Sequence, residues 1–300
     1  MEYQKGINVL SLFDGISCTQ QSLKELNITI KNYYSSEIDK NAIKVTQHHF
    51  PETQQLGDIG SICGNVLPQI DLLIGGSPCQ DLSSLRKNRE GLDGDKSSLF
   101  FHALRLLDEI KPKYFLFENV GSMSKDDRRR FDELLGVEGL SINSNLVSAQ
   151  NRHRIYWTNI PGVIIPQDRN INLKNIIESG YVDRDKSNCV LTKNVPHTKN
   201  GLIRYLSKSI GQVVFHSKPF TELPKKEKLD RIESITDAEV KDLFRLFTVK
   251  ELEQLQTLPK DYVGDVLKKT PSKHAIGNGF TVEVIKHILT YADFNNKKYN

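Results

Sequence analysis

Over the first 160 residues or so, short apolar runs alternate with amphipathic stretches. Ile7–Phe13 is apolar enough for a buried strand and stops at Asp14-Gly15. Thr19–Leu26 follows with helical spacing, Ile30–Ser35 predicts a second strand, and Lys40–His49 a second helix. A short third strand falls near Gln54–Gly57. Ile70–Gly75, apolar except for Asp71, predicts a strand that ends in Gly75-Gly76. Ser98–Ile110 predicts a helix closed by Lys111-Pro112. Tyr114–Glu118 predicts a strand, Arg128–Leu135 a helix and Ile155–Thr158 a strand. This alternation predicts an α/β fold, a parallel sheet with helices on both faces.

The rhythm then changes. Residues 163–243 are polar, basic and irregular, with one clear helix at Lys225–Ser234 behind Pro224. Periodicity returns near Phe244. Thr248 is placed to cap a helix running to Gln256, and a last helix spans about Thr281 to Tyr291. The pattern divides the chain into 1–162, an inserted module at 163–243, and 244–300 as a return to the first domain.

Composition adds bounds. The 300 residues are 38% hydrophobic and 26% charged, as expected of a soluble globular protein with a sizeable core. No apolar run approaches the roughly 20 residues of a membrane helix. The polar start carries no signal peptide, so a cytoplasmic protein is expected. Cys18, Cys63, Cys79 and Cys189 are scattered without zinc-site spacing, so neither a metal nor a disulfide framework is expected. Net charge is +4. Lys186–Lys228 holds nine Lys/Arg against two acids, +7, which leaves −3 for the rest. Such a segment suits a nucleic-acid-facing region or a solvated lysine-rich face.

Candidate chemistry sits at strand ends, where open α/β sheets bind ligands. Gly15 follows the first strand and permits a tight turn against a ligand. Glu37 closes the second strand, where an acid can accept hydrogen bonds from ribose hydroxyls, and Asp58 follows the third. A lone glycine can be a plain turn and a lone acid a helix cap. The three in this order favour an adenosine ligand. Gly75-Gly76-Ser77-Pro78-Cys79-Gln80 then presents a cysteine at the sheet rim, where a thiolate can attack. A lone cysteine is more often buried and inert. Phe117-Glu118-Asn119-Val120 ends the next strand and brings a carboxylate beside it. In an extended chain Gln150, Arg152 and Arg154 share one face, a charge-assisted clamp for that carboxylate.

Together these segments resemble the cytosine-C5 DNA methyltransferase family in its usual order along the chain. Arg245 to Glu251 and Gly277-Asn278-Gly279-Phe280-Thr281-Val282 are similar to its closing motifs. The wording around Phe13, Cys79 and Glu118 is closest to the animal de novo branch, on a compact chain that suggests a bacterial or phage enzyme. The resemblance covers residues 7–162 and 244–291 and is faint between them. Ser17-Cys18 stand where the family usually carries a second glycine.

The resemblance implies a Rossmann-like S-adenosylmethionine-dependent methyltransferase sheet with a small target-recognition module at 163–243. It implies methylation of C5 of a flipped cytosine in duplex DNA through a covalent Cys79–C6 adduct. Cys79, Glu118, Arg152 and Arg154 are the implied catalytic residues. Glu118 serves N3, Arg154 contacts O2, and Arg152 positions Glu118. S-adenosyl-L-methionine is assigned to Phe13, Asp14, Gly15, Ile16, Glu37, Ile38, Asp58, Ile59, Pro78, Leu99, Asn278 and Phe280. DNA contacts are assigned to Ser83, Arg86, Lys87 and Arg89 in a closing loop, and to Lys193, Lys199 and Arg204 in the module. A homo-oligomer, a companion restriction endonuclease and association with the nucleoid stay open. Two alternatives stand beside this reading: methylation of cytosine in tRNA, and an inactive DNA-binding regulatory paralogue. The first lacks its Cys-Phe-Thr marker here, and the second should have lost Cys79 or the donor loop.

Overall fold

The computed structural model describes residues 6–77, 98–190 and 198–294. They form two compact units. The first comprises residues up to 143, 153–166 and those from 282 on; the second comprises 144–152 and 167–281.

A seven-stranded sheet builds the first unit. Its strands are β1 (Ile7–Leu12), β2 (Ile30–Ser36), β3 (Gln54–Gln55), β4 (Leu72–Gly76), β5 (Tyr114–Val120), β6 (Leu140–Asn143) and β7 (His153–Thr158). Their order is β3-β2-β1-β4-β5-β7-β6. The first five strands run parallel, whereas β7 is antiparallel to both β5 and β6. The chain winds outward from β1 to β3, returns to β4 beside β1, and winds the other way. The carboxyl ends of β1 and β4 therefore flank the switch point, where such sheets bind ligands.

All but one residue of β1 are buried, so both faces of this strand are covered, as parallel sheets require. On one side Leu10, Leu12, Leu73 and Phe117 join Phe100 of helix Ser98–Ile110 and Phe131 of helix Lys125–Leu135. Phe131 stacks between Phe100 at 4.0 Å and Trp157 at 4.8 Å between ring centroids. Helix Val282–Leu289 packs against helix Cys18–Glu25, joined by a Lys286–Glu25 ion pair at 2.8 Å.

The second unit has its own core although its sequence read as irregular. A two-stranded sheet, β8 (Val213–Phe215) with β9 (Phe244–Leu246), packs with Leu202, Tyr205, Phe220, Ile232 and Val240. Helix Lys199–Lys208 supplies Leu202 and Tyr205. Residues 244–281, expected to rejoin the first domain, cluster with this unit. β9 has its pairing partner there, and only from Val282 does the chain return. Among the described residues no helix is long and apolar enough to cross a membrane.

Candidate active site

The loop after β1 carries three left-handed residues in alternation: Phe13 (φ 54°), Gly15 (φ 59°) and Ser17 (φ 56°). A Cβ at Gly15 would meet nothing within 4 Å, so open space lies over this turn. The Gly15 N–H donates to Glu37 Oε2 at 2.8 Å. The other oxygen of Glu37 accepts from the N–H groups of Ile38 and Asp39, each at 2.8 Å. Glu37 thus ties the end of β2 to the loop after β1. Ile38 beside it is 69% exposed, an apolar side chain standing in solvent next to a fixed carboxylate.

Asp14 is different. Its side chain, expected at the ligand, is buried: Oδ1 accepts from the Tyr33 hydroxyl at 2.7 Å, and Oδ2 from the hydroxyls of Ser17 and Ser35. Burial pushes its carboxyl up, and these hydroxyls together with Ser11 only partly pull it back. Asp14 pins the turn from below. It also explains how Ser17, where the family usually has glycine, keeps a left-handed backbone. Ile16 and Ile59 are likewise buried, while Phe13 and Leu99 are half-buried against the core. Asp58 is exposed and caps the turn Ile59–Ser61 by accepting the Gly60 N–H at 2.7 Å.

The second centre lies across the switch point. Gly76 of β4 pairs in register with Glu118 of β5, which sets that carboxylate beside the strand leading to Cys79. Gly75 permits the close packing, since a Cβ there would lie 3.0 Å from Leu12 Cβ and 3.1 Å from its carbonyl oxygen. Glu118 forms an ion pair with Arg154 of β7, with 2.7 Å between Nε and Oε1 and side chains only 11% and 15% exposed. The contact has the distance of a hydrogen bond without its angle, so Oε1 stays buried without a hydrogen-bond donor. Asn119, fully buried, donates from Nδ2 to Ser77 Oγ at 3.0 Å, and its own Oδ1 accepts the Val120 N–H. Nothing in the sequence alone marks Asn119 for this task beyond its place inside the Glu-Asn-Val motif.

Arg152 belongs to the second unit. Its guanidinium donates to the carbonyls of Gly277 at 3.2 Å and Gly279 at 3.0 Å. Gln150, also buried, donates to Leu255 O and Gln256 Oε1 and accepts the Val190 N–H. Gln256 donates to Ile276 O and Gly279 O. In the first unit Arg154 meets Glu118; in the second, Arg152 and, through Gln256, Gln150 fasten the turn at 277–279. Asn278 on that turn is exposed and Phe280 is buried. Lys199, expected on DNA, donates to the carbonyls of Glu233 and Ile235 at 2.6 and 2.9 Å, closing the end of helix Lys225–Glu233. Arg204 is exposed on helix Lys199–Lys208. Pro78, Cys79, Ser83, Arg86, Lys87, Arg89 and Lys193 lie outside the described residues. Among the described residues no group of three His, Cys, Asp or Glu side chains can hold a metal.

Sheet order and switch point define the Rossmann-like methyltransferase class. A methyltransferase from Entamoeba histolytica, EhMeth, superposes with a TM-score of 0.71 at 16% identity, over 96% of this chain and 98% of that one. The profile described as C-5 cytosine-specific DNA methylase matches residues 7–189 and 165–292, and the chain belongs to that family. It is 32% identical over 189 residues to the orphan methyltransferase M.SPRI of Bacillus phage SPR, across 58% of this chain and 43% of that protein. It is 29% identical over 307 residues to the type II methyltransferase M1.ScrFI of Lactococcus lactis subsp. cremoris, across 93% and 76%. The chain thus spans less than half of the first relative and about three quarters of the second.

Proposed function

We propose that this protein is a DNA (cytosine-5-)-methyltransferase that uses S-adenosylmethionine. The observation that carries the reading is the pairing of Glu118 with Arg154 beside the strand that leads, through Ser77, to Pro78-Cys79. Family membership supports it, and so does the relatives' description as methyltransferases.

The donor supplies an electrophilic methyl group when bound. The residues at the switch point fit it: open space over Gly15, an exposed apolar Ile38, and Glu37 held at a strand end by three N–H groups. In this reading Glu37 accepts from the ribose hydroxyls, Ile38 packs on the adenine ring and Asp58 reads its amino group. Phe13 and Leu99 add apolar surface.

Cytosine C5 is a poor nucleophile, so the chain must activate it. Cys79 forms a bond to C6, and the ring electrons move toward N3, where Glu118 holds a proton. C5 becomes enamine-like, nucleophilic enough to take the methyl group that a bound donor would give up, the donor leaving as its neutral thioether. A base then takes the C5 proton, the Cys79–C6 bond breaks to return the thiolate, and N3 gives its proton back to Glu118. Arg154 holds Glu118 in place and, in this reading, contacts ring O2. The base reaches this site only by leaving the duplex, at a few kcal/mol of unstacking.

Bisulfite sequencing of DNA from cells expressing the protein tests the reading. Protected cytosines at a recurring sequence, absent with Cys79→Ala, are expected. Full conversion with both proteins would contradict it.

A further inference from the structure

Helix Ser98–Ile110 does more than complete the core. Leu99, His102, Arg105 and Glu109 recur along it at helical spacing. Arg105 Nη2 donates to the carbonyl of Ile62 at 2.9 Å and more weakly to that of Ile59 at 3.4 Å. Its Nη1 donates to Glu109 Oε1 at 2.7 Å. The other oxygen of Glu109 accepts the Gly64 N–H at 2.7 Å. The hydrogen bond from Arg105, then that from Gly64, holds the Glu109 carboxyl below the usual range. Contact is close enough that a Cβ on Gly64 would sit 2.8 Å from Ile110, and one on Gly60 would sit 3.7 Å from the His102 ring.

The segment so gripped carries Asp58 and Ile59. It consists of two short turns, Ile59–Ser61 and Gly64–Val66, whose backbone bonds are local: Ser61 N–H to Asp58 O, Ile62 N–H to Ile59 O, Leu67 N–H to Gly64 O. No strand ladder holds Asp58, because β3 ends at Gln55. The grip of two side chains from the helix takes the place of a ladder.

We infer that Arg105 and Glu109 are positioning residues for the methyl donor. Their contacts with Ile59, Ile62 and Gly64 fix the Asp58-Ile59 turn against which the adenine ring binds. The inference rests on the reading of this site as the donor site. Glu109→Gln and Arg105→Met each remove one part of the grip, and Arg105→Lys keeps the charge beside Glu109 without the planar fork.

Calorimetry with S-adenosylhomocysteine on DNA-free protein, with unliganded melting temperature and steady-state rates alongside, tests it. Arg105→Met and Glu109→Gln are expected to bind about tenfold more weakly, with KM for the donor raised far more than kcat is lowered. Arg105→Lys should fall between. Variants that bind like wild type would overturn the inference. So would affinity, kcat and unliganded melting temperature falling together in both variants, which is the signature of a purely structural role. Should Arg105→Met fail to fold, Glu109→Gln carries the same test. Wild type failing to bind would overturn the donor-site reading itself, a result distinct from wild type and variants binding alike.

Discussion

Arg154 on β7 reaches Glu118 on β5 across a diagonal of the antiparallel ladder, with 2.7 Å between Nε and Oε1. Register makes this contact. Glu118 pairs with Tyr156 and Val120 with Arg154, so the two charged residues sit two positions apart on one face. The pair is largely buried, so each charge depends on the other. Arg154→Ala should destabilise the first unit by about 3–5 kcal/mol, read by chemical denaturation, since a carboxylate is left in the sheet without its cation. Glu118→Gln should lower turnover about 10²–10³-fold while DNA binding is kept, the scale of a lost proton-transfer group.

Asn119 acts one position along. Its bond to Ser77 Oγ ties the end of β5 to the chain two residues before Cys79. Asn119→Ala should cost about 1–2 kcal/mol, because the Ser77 side loses a buried partner. Rates should fall through kcat, with donor affinity by calorimetry little changed.

Glu37 has two tasks, and its substitution should expose both. It holds the Gly15 N–H and, in the proposed function, the ribose hydroxyls. Hydrogen bonds to a charged group are worth about 1.5–3 kcal/mol. Glu37→Ala should therefore weaken donor binding by about 10- to 100-fold. It should also lower the unliganded melting temperature, because the turn at 13–17 loses its tie to β2.

The second unit should respond to acid through Asp183. This carboxylate is buried at Arg184, with the Tyr205 hydroxyl at 2.5 Å and Lys228 Nζ at 3.9 Å. Burial pushes its carboxyl up. The hydrogen bond and charge of Arg184, with Tyr205 and Lys228, outweigh that and leave it below the usual aspartate range. Its stabilisation is then fully present above the unfolded value of about 3.9 and is lost as pH falls through the lower folded value. Thermal unfolding against pH should show stability falling below about pH 4, and Asp183→Asn should flatten that limb.

Much of this was legible from residues alone. The strand ends beside Phe13, Glu37 and Gly76 follow from runs that stop at glycine or acid, whereas β3 stops at Gln55, short of Asp58, and β5 runs past Glu118 to Val120. Their sequence order gives the switch point. The antiparallel edge was not legible, because Leu140–Asn143 is a four-residue edge strand with little pattern. The core of the second unit escaped because its apolar residues lie on short helices and two three-residue strands, too brief for periodicity. Side-chain direction was hidden too. The sequence does not show that the Asp14 side chain turns inward to Tyr33, Ser17 and Ser35, or that the Lys199 ammonium also donates to two carbonyls.

The most direct test is trapping the adduct on duplex DNA that carries 5-fluorocytosine at the target found by bisulfite sequencing. Fluorine at C5 cannot leave as the proton does, so the bond to C6 should persist after methyl transfer. The account predicts a denaturant-resistant protein–DNA complex that requires S-adenosylmethionine, maps by peptide mass to Cys79 and is absent with Cys79→Ser. A complex attached at another residue, or methylation that survives Cys79→Ser undiminished, would contradict it.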